Sequence, residues 1–180
     1  MVSEKYLRLL NWLFELLKGA LLILILGLFV HYFIFTIFIV DGSSMEPSFK
    51  DGQYLIVNRL AYLFEKPKRG DVVILRFPGR EKEKYIKRVI GLPNETVEIK
   101  DGSVFINGEK LNETYLKFQT QTEPALTETL SENEYFLLGD NRANSNDSRI
   151  WGNCPKENII GKPVFILYPL SDWGPVSLLF

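Results

Sequence analysis

From Gly19 to Val40, 22 consecutive residues carry no Asp, Glu, Lys or Arg, and His31 is the only ionisable group among them. As a helix at ~1.5 Å per residue the run is ~33 Å long, enough to cross a bilayer core of ~30 Å. A chain soluble throughout is thereby excluded. A cleaved signal sequence has an apolar stretch of only ~7–15 residues and a small-residue cleavage site. This run is longer and ends in Phe38-Ile39-Val40-Asp41, so it reads as a retained anchor. Lys5, Arg8 and Lys18 precede it, whereas Lys50 is the only basic residue at positions 41–58. The positive-inside rule then puts the N-terminus in the cytoplasm and residues 41–180 outside. The expected organisation is a cytoplasmic or interfacial segment over 1–18 with Trp12 at headgroup level, a transmembrane helix over 19–40, and an extracytoplasmic domain over 41–180. The His31 imidazole is read either as a functional group in the membrane or as a neutral ring making a local hydrogen bond.

A chain of 180 residues has room for one domain beside this appendage. Setting aside the three basic and two acidic residues before position 41 leaves 18 basic and 20 acidic side chains, a balance that argues against a nucleic-acid partner. Short β-rich runs occupy 53–58, 71–77 and 85–90. A meander follows over 96–100, 103–106 and 109–111, with Asp101-Gly102 and Asn107-Gly108 as two-residue turns. The apolar runs 135–138 and 164–168 read as core strands, 80–84 as a charged hairpin tip and 112–131 as polar loop. Nothing after residue 60 sustains helical periodicity, so the outer domain is expected to be mainly β and antiparallel.

The single histidine constrains the chemistry. With His31 in the membrane segment, no imidazole is available for a Ser–His–Asp or Cys–His site in the outer domain. One histidine and one cysteine also make a zinc site improbable, and Cys154 is expected to be a packed small hydrophobe without a disulfide. A serine activated by a neutral, buried lysine remains as a recognised variant. Such a pair is available in the turn Asp41-Gly-Ser-Ser-Met-Glu-Pro-Ser-Phe49 and the strand Tyr85-Ile-Lys-Arg-Val-Ile90. Period-two geometry puts Lys87 with Tyr85 and Val89, and Arg88 with Ile86 and Ile90. Taken alone, Lys87 also reads as an edge or snorkelling lysine and Ser43-Ser44 as an ordinary loop. The polar run 139–149 behind the strand 135–138 reads either as a solvated turn or as a source of hydroxyl and carboxylate partners for a buried lysine.

Together the segments resemble the bacterial type I signal peptidases, membrane-anchored Ser–Lys proteases that remove signal peptides from exported proteins. The resemblance is carried, in order, by Gly42-x-Ser44-Met45-x-Pro47, Arg69-Gly70-Asp71-Val-Val, Tyr85-Ile-Lys87-Arg88-Val-Ile-Gly91-Leu-Pro93 and Gly139-Asp140-Asn141-Arg142-x-x-Ser145-x-Asp147-Ser148-Arg149. It implies a single transmembrane helix followed by an antiparallel β-sheet catalytic domain of the signal-peptidase type. It implies Ser44 as nucleophile and Lys87 as general base, working through an acyl-enzyme. Ser145 is implied to hold Lys87, Asp147 to pair with Arg149, and Asp140 with Arg88. The Ser44 backbone N–H is the implied oxyanion donor. The second donor of some relatives, a serine hydroxyl, falls at Gly42 and is missing. Phe38, Val40, Met45, Ile74, Tyr85 and Ile86 fall where the family binds small substrate side chains. The implied setting is a monomer in the plasma membrane, acting on signal-peptide-bearing preproteins in contact with the lipid bilayer, without metal or cofactor.

Three rival readings remain, of which a peptidase of an organelle inner membrane, sharing the dyad, is the one the sequence excludes least firmly. A self-cleaving Ser–Lys repressor shares the chemistry, but lacks its DNA-binding half and leaves the anchor unexplained. A membrane-tethered β module that binds exported chains without cutting them needs none of Ser44, Lys87 and Ser145.

Overall fold

The structure, a computed structural model, describes residues 4–116 and 120–176, leaving aside the side chains of His31 and Tyr32. The expectations for the His31 imidazole therefore lie outside the described residues. Helix α1 (Glu4–Phe29) is continuous, and none of its residues is buried. At ~1.5 Å per residue its 26 residues extend ~39 Å, more than a bilayer core.

The helix is displaced from the expected 19–40. It takes in most of the segment assigned to 1–18, gives way to one wide turn over Val30–Ile34, and is replaced by strand β1 (Phe35–Ile39). The physical reason is that an apolar run does not by itself distinguish a membrane helix from a strand. The β-branched and aromatic sequence Phe-Thr-Ile-Phe-Ile finds an antiparallel partner in β2 (Tyr54–Asn58), with Phe38 opposite Leu55. Phe35, Ile37 and Ile39 point outward and are exposed, while Val40 at the end of the run is buried.

A short helix α2 (Ala61–Phe64) leads to β3 (Val72–Phe77) and β4 (Arg80–Gly91). Residues 80–84, expected at the hairpin tip, are already strand. The turn falls at Pro78-Gly79, where Gly79 takes φ 83°. The meander forms as expected: β5 (Thr96–Lys100), β6 (Ser103–Ile106) and β7 (Glu109–Lys110), with positive φ at Asp101, Gly102, Asn107 and Gly108. Within the expected loop 112–131, a further strand β8 (Leu126–Thr129) pairs with β5. Its Leu-Thr-Glu-Thr sequence offers one apolar side chain, too little for a periodic signal.

The chain continues through β9 (Glu134–Leu138), α3 (Ser148–Trp151), β10 (Cys154–Pro155), β11 (Ile159–Tyr168) and β12 (Gly174–Pro175). The larger sheet runs β1-β2-β11-β3-β4-β9-β10, with β12 on β11, and the smaller runs β7-β6-β5-β8. All pairings are antiparallel. The domain is thus mainly β and antiparallel, as its residue pattern indicates. Strand β3 is buried on both faces: Val72 and Ile74 pack with Val40, Met45, Phe49 and Leu55, whereas Val73 and Leu75 pack with Val89, Tyr135 and Leu137. Cys154 is fully buried in the second of these clusters, and burial pushes its thiol up to about 12, consistent with the packed hydrophobe expected.

Candidate active site

Residues 41–53 connect β1 to β2 as one long hairpin loop, closed at its base by the Val40 N–H donating to the Gln53 carbonyl at 2.9 Å. Gly42, at φ 84°, donates its N–H to Asp51 Oδ1 at 2.8 Å. Met45 and Phe49, both fully buried, enter the core cluster that holds Val72, Ile74 and Ile86. Three strands separate β1 from β4 in the sheet, yet these two apolar side chains fold the loop back towards β4 and bring Ser44 to Lys87.

The Lys87 Nζ lies 2.7 Å from the Ser44 Oγ and 2.9 Å from the Ile86 carbonyl oxygen. The register from Val72 opposite Arg88 to Arg76 opposite Lys84 runs without a bulge, so Lys87 shares a face with Tyr85 as period two requires. Lys87 is only 3% exposed. Burial lowers its pKa to about 8 from the ordinary 10.5, against the opposing pull of the Asp147 and Asp140 carboxylates, with the Arg149 charge adding to the lowering. A lysine in that range is neutral often enough near neutral pH to accept the proton of the serine hydroxyl during attack on a carbonyl.

Behind this pair lie two buried ion pairs. Arg88 donates to both carboxylate oxygens of Asp140, from Nε at 2.7 Å and Nη2 at 2.5 Å, and from Nη1 to the Gly70 carbonyl at 2.8 Å. Arg149 grips Asp147 through Nε and Nη2, both at 2.8 Å, while Asp147 also accepts the Gly139 N–H at 3.0 Å. Asp147 is also the cap of α3, accepting the Arg149 N–H at 3.3 Å.

Ser145 departs from the expected contact. No hydrogen bond joins it to Lys87, and its buried Oγ has no partner among the described residues. The Ser145 side chain instead fills the space over Gly139: a Cβ on Gly139 would come within 2.2 Å of the Ser145 Oγ and 2.4 Å of the Ser44 carbonyl oxygen. Gly139 thereby lets the loop 139–149 close on the Ser44 turn.

A cleft of about 210 Å³ opens beside the Ser–Lys pair, lined by Phe38, Asp41, Ser44, Lys84, Tyr85, Ile86, Lys87 and Asn146. Of the six residues expected to bind substrate, Phe38, Tyr85 and Ile86 line it. Val40, Met45 and Ile74 do not: they are buried at 1%, 0% and 1% exposure in the core. Their apolar side chains are spent on anchoring the loop and the sheet. Asp41, Lys84 and Asn146 line the cleft without having been singled out, since polar residues in turns and at strand ends carry no distinguishing pattern.

Further parts of the site were also not legible as site residues. Asn141 donates its backbone N–H to the Ser44 carbonyl at 3.0 Å and its Nδ2 to the Ser43 carbonyl at 3.2 Å, and Asn144 Nδ2 donates to Ser43 Oγ at 2.8 Å. From the segment after β7, Glu113 takes both terminal nitrogens of the buried Arg142, one at 3.0 Å. The Tyr115 ring lies 4.1 Å from the Arg88 guanidinium. Among the described residues no group of three or more His, Cys, Asp or Glu is arranged to hold a metal ion.

The chain matches the family model described as Signal peptidase, peptidase S26, over residues 13–168. It is 36% identical over 183 residues to a signal peptidase I of Bacillus licheniformis, covering 96% of this chain and 97% of the relative. It is 35% identical over 162 residues to a probable signal peptidase I-1 of Synechocystis sp., covering 86% of this chain and 82% of the relative. A crystal structure of a signal peptidase I from Enterococcus faecalis, 34% identical, covers 54% of this chain and 97% of that chain with a TM-score of 0.49.

Proposed function

The chain belongs to the signal peptidase family, peptidase S26, and from that premise we propose that it removes signal peptides as a membrane-anchored endopeptidase with Ser44 as nucleophile and Lys87 as general base. The observation that carries the catalytic assignment is the 2.7 Å separation of Lys87 Nζ and Ser44 Oγ, with the lysine buried. In the neutral state the Lys87 lone pair takes the Ser44 hydroxyl proton as Oγ attacks the scissile carbonyl. The protonated amine returns that proton to the leaving amine, giving an acyl-enzyme. The mature chain departs with that amine; Lys87 then takes a proton from water, which attacks the ester, and passes it to the Ser44 Oγ as the signal peptide is released. The Ser44 N–H is the oxyanion donor, a type of contact worth ~2.7–4 kcal/mol elsewhere. Gly42 supplies no hydroxyl for a second one.

The buried Arg88–Asp140 and Arg149–Asp147 pairs support the site without reacting, and Ser145 packs the loop over Gly139. Small side chains of the substrate bind in the cleft beside Phe38, Tyr85 and Ile86. The anchor is the charge-free part of α1 from Gly19 with the residues that follow it, the N-terminus is cytoplasmic, and the domain from residue 41 is outside, in keeping with Lys5, Arg8 and Lys18 on the N-terminal side of that run. The exposed Phe35, Ile37 and Ile39 on an edge strand favour β1 lying against the lipid surface, since an apolar edge in water invites aggregation. The chain works as a monomer on preproteins presented at that surface.

The test is cleavage of a purified preprotein in detergent or liposomes by the wild type, Ser44→Ala and Lys87→Ala, with products sized by mass spectrometry. Cleavage after a small residue, lost in both variants, is expected. Activity surviving Lys87→Ala overturns the base, and binding without cleavage by the wild type turns the reading to an inactive tether.

A further inference from the structure

The peptide unit joining Ser43 to Ser44 presents its N–H where the oxyanion is to be held, and its C=O necessarily points the opposite way. In a planar trans peptide the two ends swing together, so whatever fixes the carbonyl fixes the direction of the N–H. The Ser43 carbonyl accepts two hydrogen bonds. One, from the Glu46 N–H at 3.1 Å, lies within the same turn and moves with it. The other, from Asn141 Nδ2 at 3.2 Å, comes from a different part of the molecule. The next carbonyl, that of Ser44, accepts the Asn141 N–H at 3.0 Å. The peptide planes on both sides of the Ser44 Cα are therefore tied to one residue.

Asn141 is itself well held. Its neighbour Asp140 is locked to Arg88 on β4, one residue beyond Lys87, and its other neighbour Arg142 is fully enclosed and bound to Glu113, Thr122 and the Gly139 carbonyl. It thus refers the nucleophile's backbone to the strand that carries the base. Among the described residues the Ser44 N–H itself donates to no acceptor, leaving it available to a substrate oxygen.

Resting on the Ser44–Lys87 reading, we propose that Asn141 is a positioning residue that sets the direction of the Ser44 oxyanion amide through the Ser43 carbonyl, compensating in part for the hydroxyl that Gly42 lacks. Asn141 touches neither the base nor the Ser44 hydroxyl, so its contribution belongs to the charged tetrahedral state. Substrate affinity and the titration of Lys87 do not depend on it.

The experiment uses the full chain in detergent micelles with a preprotein substrate and a peptide aldehyde, which forms a hemiacetal with the serine and places an oxygen in the oxyanion position. Asn141→Ala deletes the side-chain donor. Asn141→Asp keeps size and backbone amide while replacing the donor with an acceptor, and thermal unfolding verifies that each variant is folded. The expected result is a fall in kcat of roughly 10- to 100-fold, short of the ~10²–10³ typical when an oxyanion donor is deleted outright. KM stays within about twofold, the pH midpoint of kcat/KM is unmoved in the uncharged Asn141→Ala, and aldehyde affinity falls in parallel with kcat. Unchanged kcat in folded Asn141→Asp overturns the proposal, as does a shifted pH midpoint in the uncharged Asn141→Ala, which would trace the effect to Lys87. Equal losses in KM and aldehyde affinity with kcat intact also overturn it, by showing ground-state contact. An inactive wild type overturns the Ser–Lys reading beneath it, which is a separate outcome.

Discussion

Gly139 and Ser145 stand so close that a methyl group on Gly139 would meet the Ser145 Oγ at 2.2 Å and, beside it, the Ser44 backbone oxygen at 2.4 Å. A hydroxyl can turn aside, but a backbone carbonyl moves only with its turn. Gly139→Ala is therefore expected to push the Ser44 turn away from Lys87 and lower kcat/KM by at least ~100-fold, the order of loss that a 1 Å misplacement brings. Overpacking should cost only ~1–3 kcal/mol of stability. Cleavage kinetics set beside thermal unfolding of the same variant check this. Near-normal cleavage in a folded protein would show that the loop has slack.

The lowered pKa of Lys87 has two consequences of opposite sign. On the proposed mechanism, kcat/KM rises tenfold per pH unit below about 8 and levels above it, because the neutral amine is the working form. A pH–rate profile of the wild type reads the midpoint directly. A midpoint near 10 would mean that the lysine is not desolvated when it works.

The stability of the fold bears the cost of the same burial. Below pH 8 the lysine is protonated both folded and unfolded, and the folded state carries the full penalty. Between about 8 and 10.5 the unfolded chain holds a proton that the folded one has lost, so stability rises with pH across that window. Lys87→Met removes the penalty and is expected to raise stability at pH 6–7 by about 2–3 kcal/mol, after allowing for the lost hydrogen bonds. The gain should fade towards pH 10.5. Denaturant unfolding at several pH values measures it, and a destabilised Lys87→Met at pH 6 would contradict it.

The Ser–Lys pairing was legible only in part from chemistry: one histidine, in the apolar run, leaves a serine-based site needing another base, but Lys87 taken alone suits an edge lysine equally, and the resemblance of four segments in order is what singled it out. The β1 strand was not legible, because Phe-Thr-Ile-Phe-Ile satisfies a membrane helix and a paired strand equally by hydropathy. Val40, Met45 and Ile74 are apolar residues near the site in sequence or in sheet register, and whether such residues line a cleft or fill the core behind it depends on the fold back of the 41–53 loop. Ser145, Gly139 and Asn141 all lie in a polar run whose composition suits a solvated turn. Their roles rest on approaches of a few ångströms between segments about 100 residues apart, which no local pattern encodes. Glu113 and β8 sit in a stretch whose Thr and Glu content reads as loop.

Glu113 is the acid partner of Arg142, whose side chain is fully enclosed and also serves the Gly139 carbonyl. Removing the carboxylate leaves a guanidinium in the interior with only Thr122 and that carbonyl. Glu113→Ala is expected to cost ~3–5 kcal/mol, as for other buried pairs broken from one side. Glu113→Gln, which keeps an acceptor, should cost less. Chemical denaturation of both variants decides the point. A loss below ~1 kcal/mol for Glu113→Ala would mean that water reaches Arg142.

Asp147 separates stability from activity in a direction that a purely structural role does not predict. Its carboxylate raises the Lys87 pKa while the partner Arg149 lowers it. Asp147→Asn removes the first influence and leaves the second unopposed, so the pH midpoint of kcat/KM is expected to move below about 8. The same change leaves Arg149, whose side chain is 5% exposed, without its counter-charge and should cost ~3–5 kcal/mol of stability. The amide retains one oxygen, enough to keep either the Gly139 N–H or the α3 cap. At a pH well below the wild-type midpoint and a temperature where both proteins are folded, a larger fraction of the variant therefore has a neutral base. Its activity relative to the wild type should be higher there than at pH 9. A pH–rate profile normalised to the folded fraction measures both limbs. A midpoint that stays in place would show that the Asp147–Arg149 pair acts on Lys87 as a neutral unit, and that burial alone sets the pKa of the base.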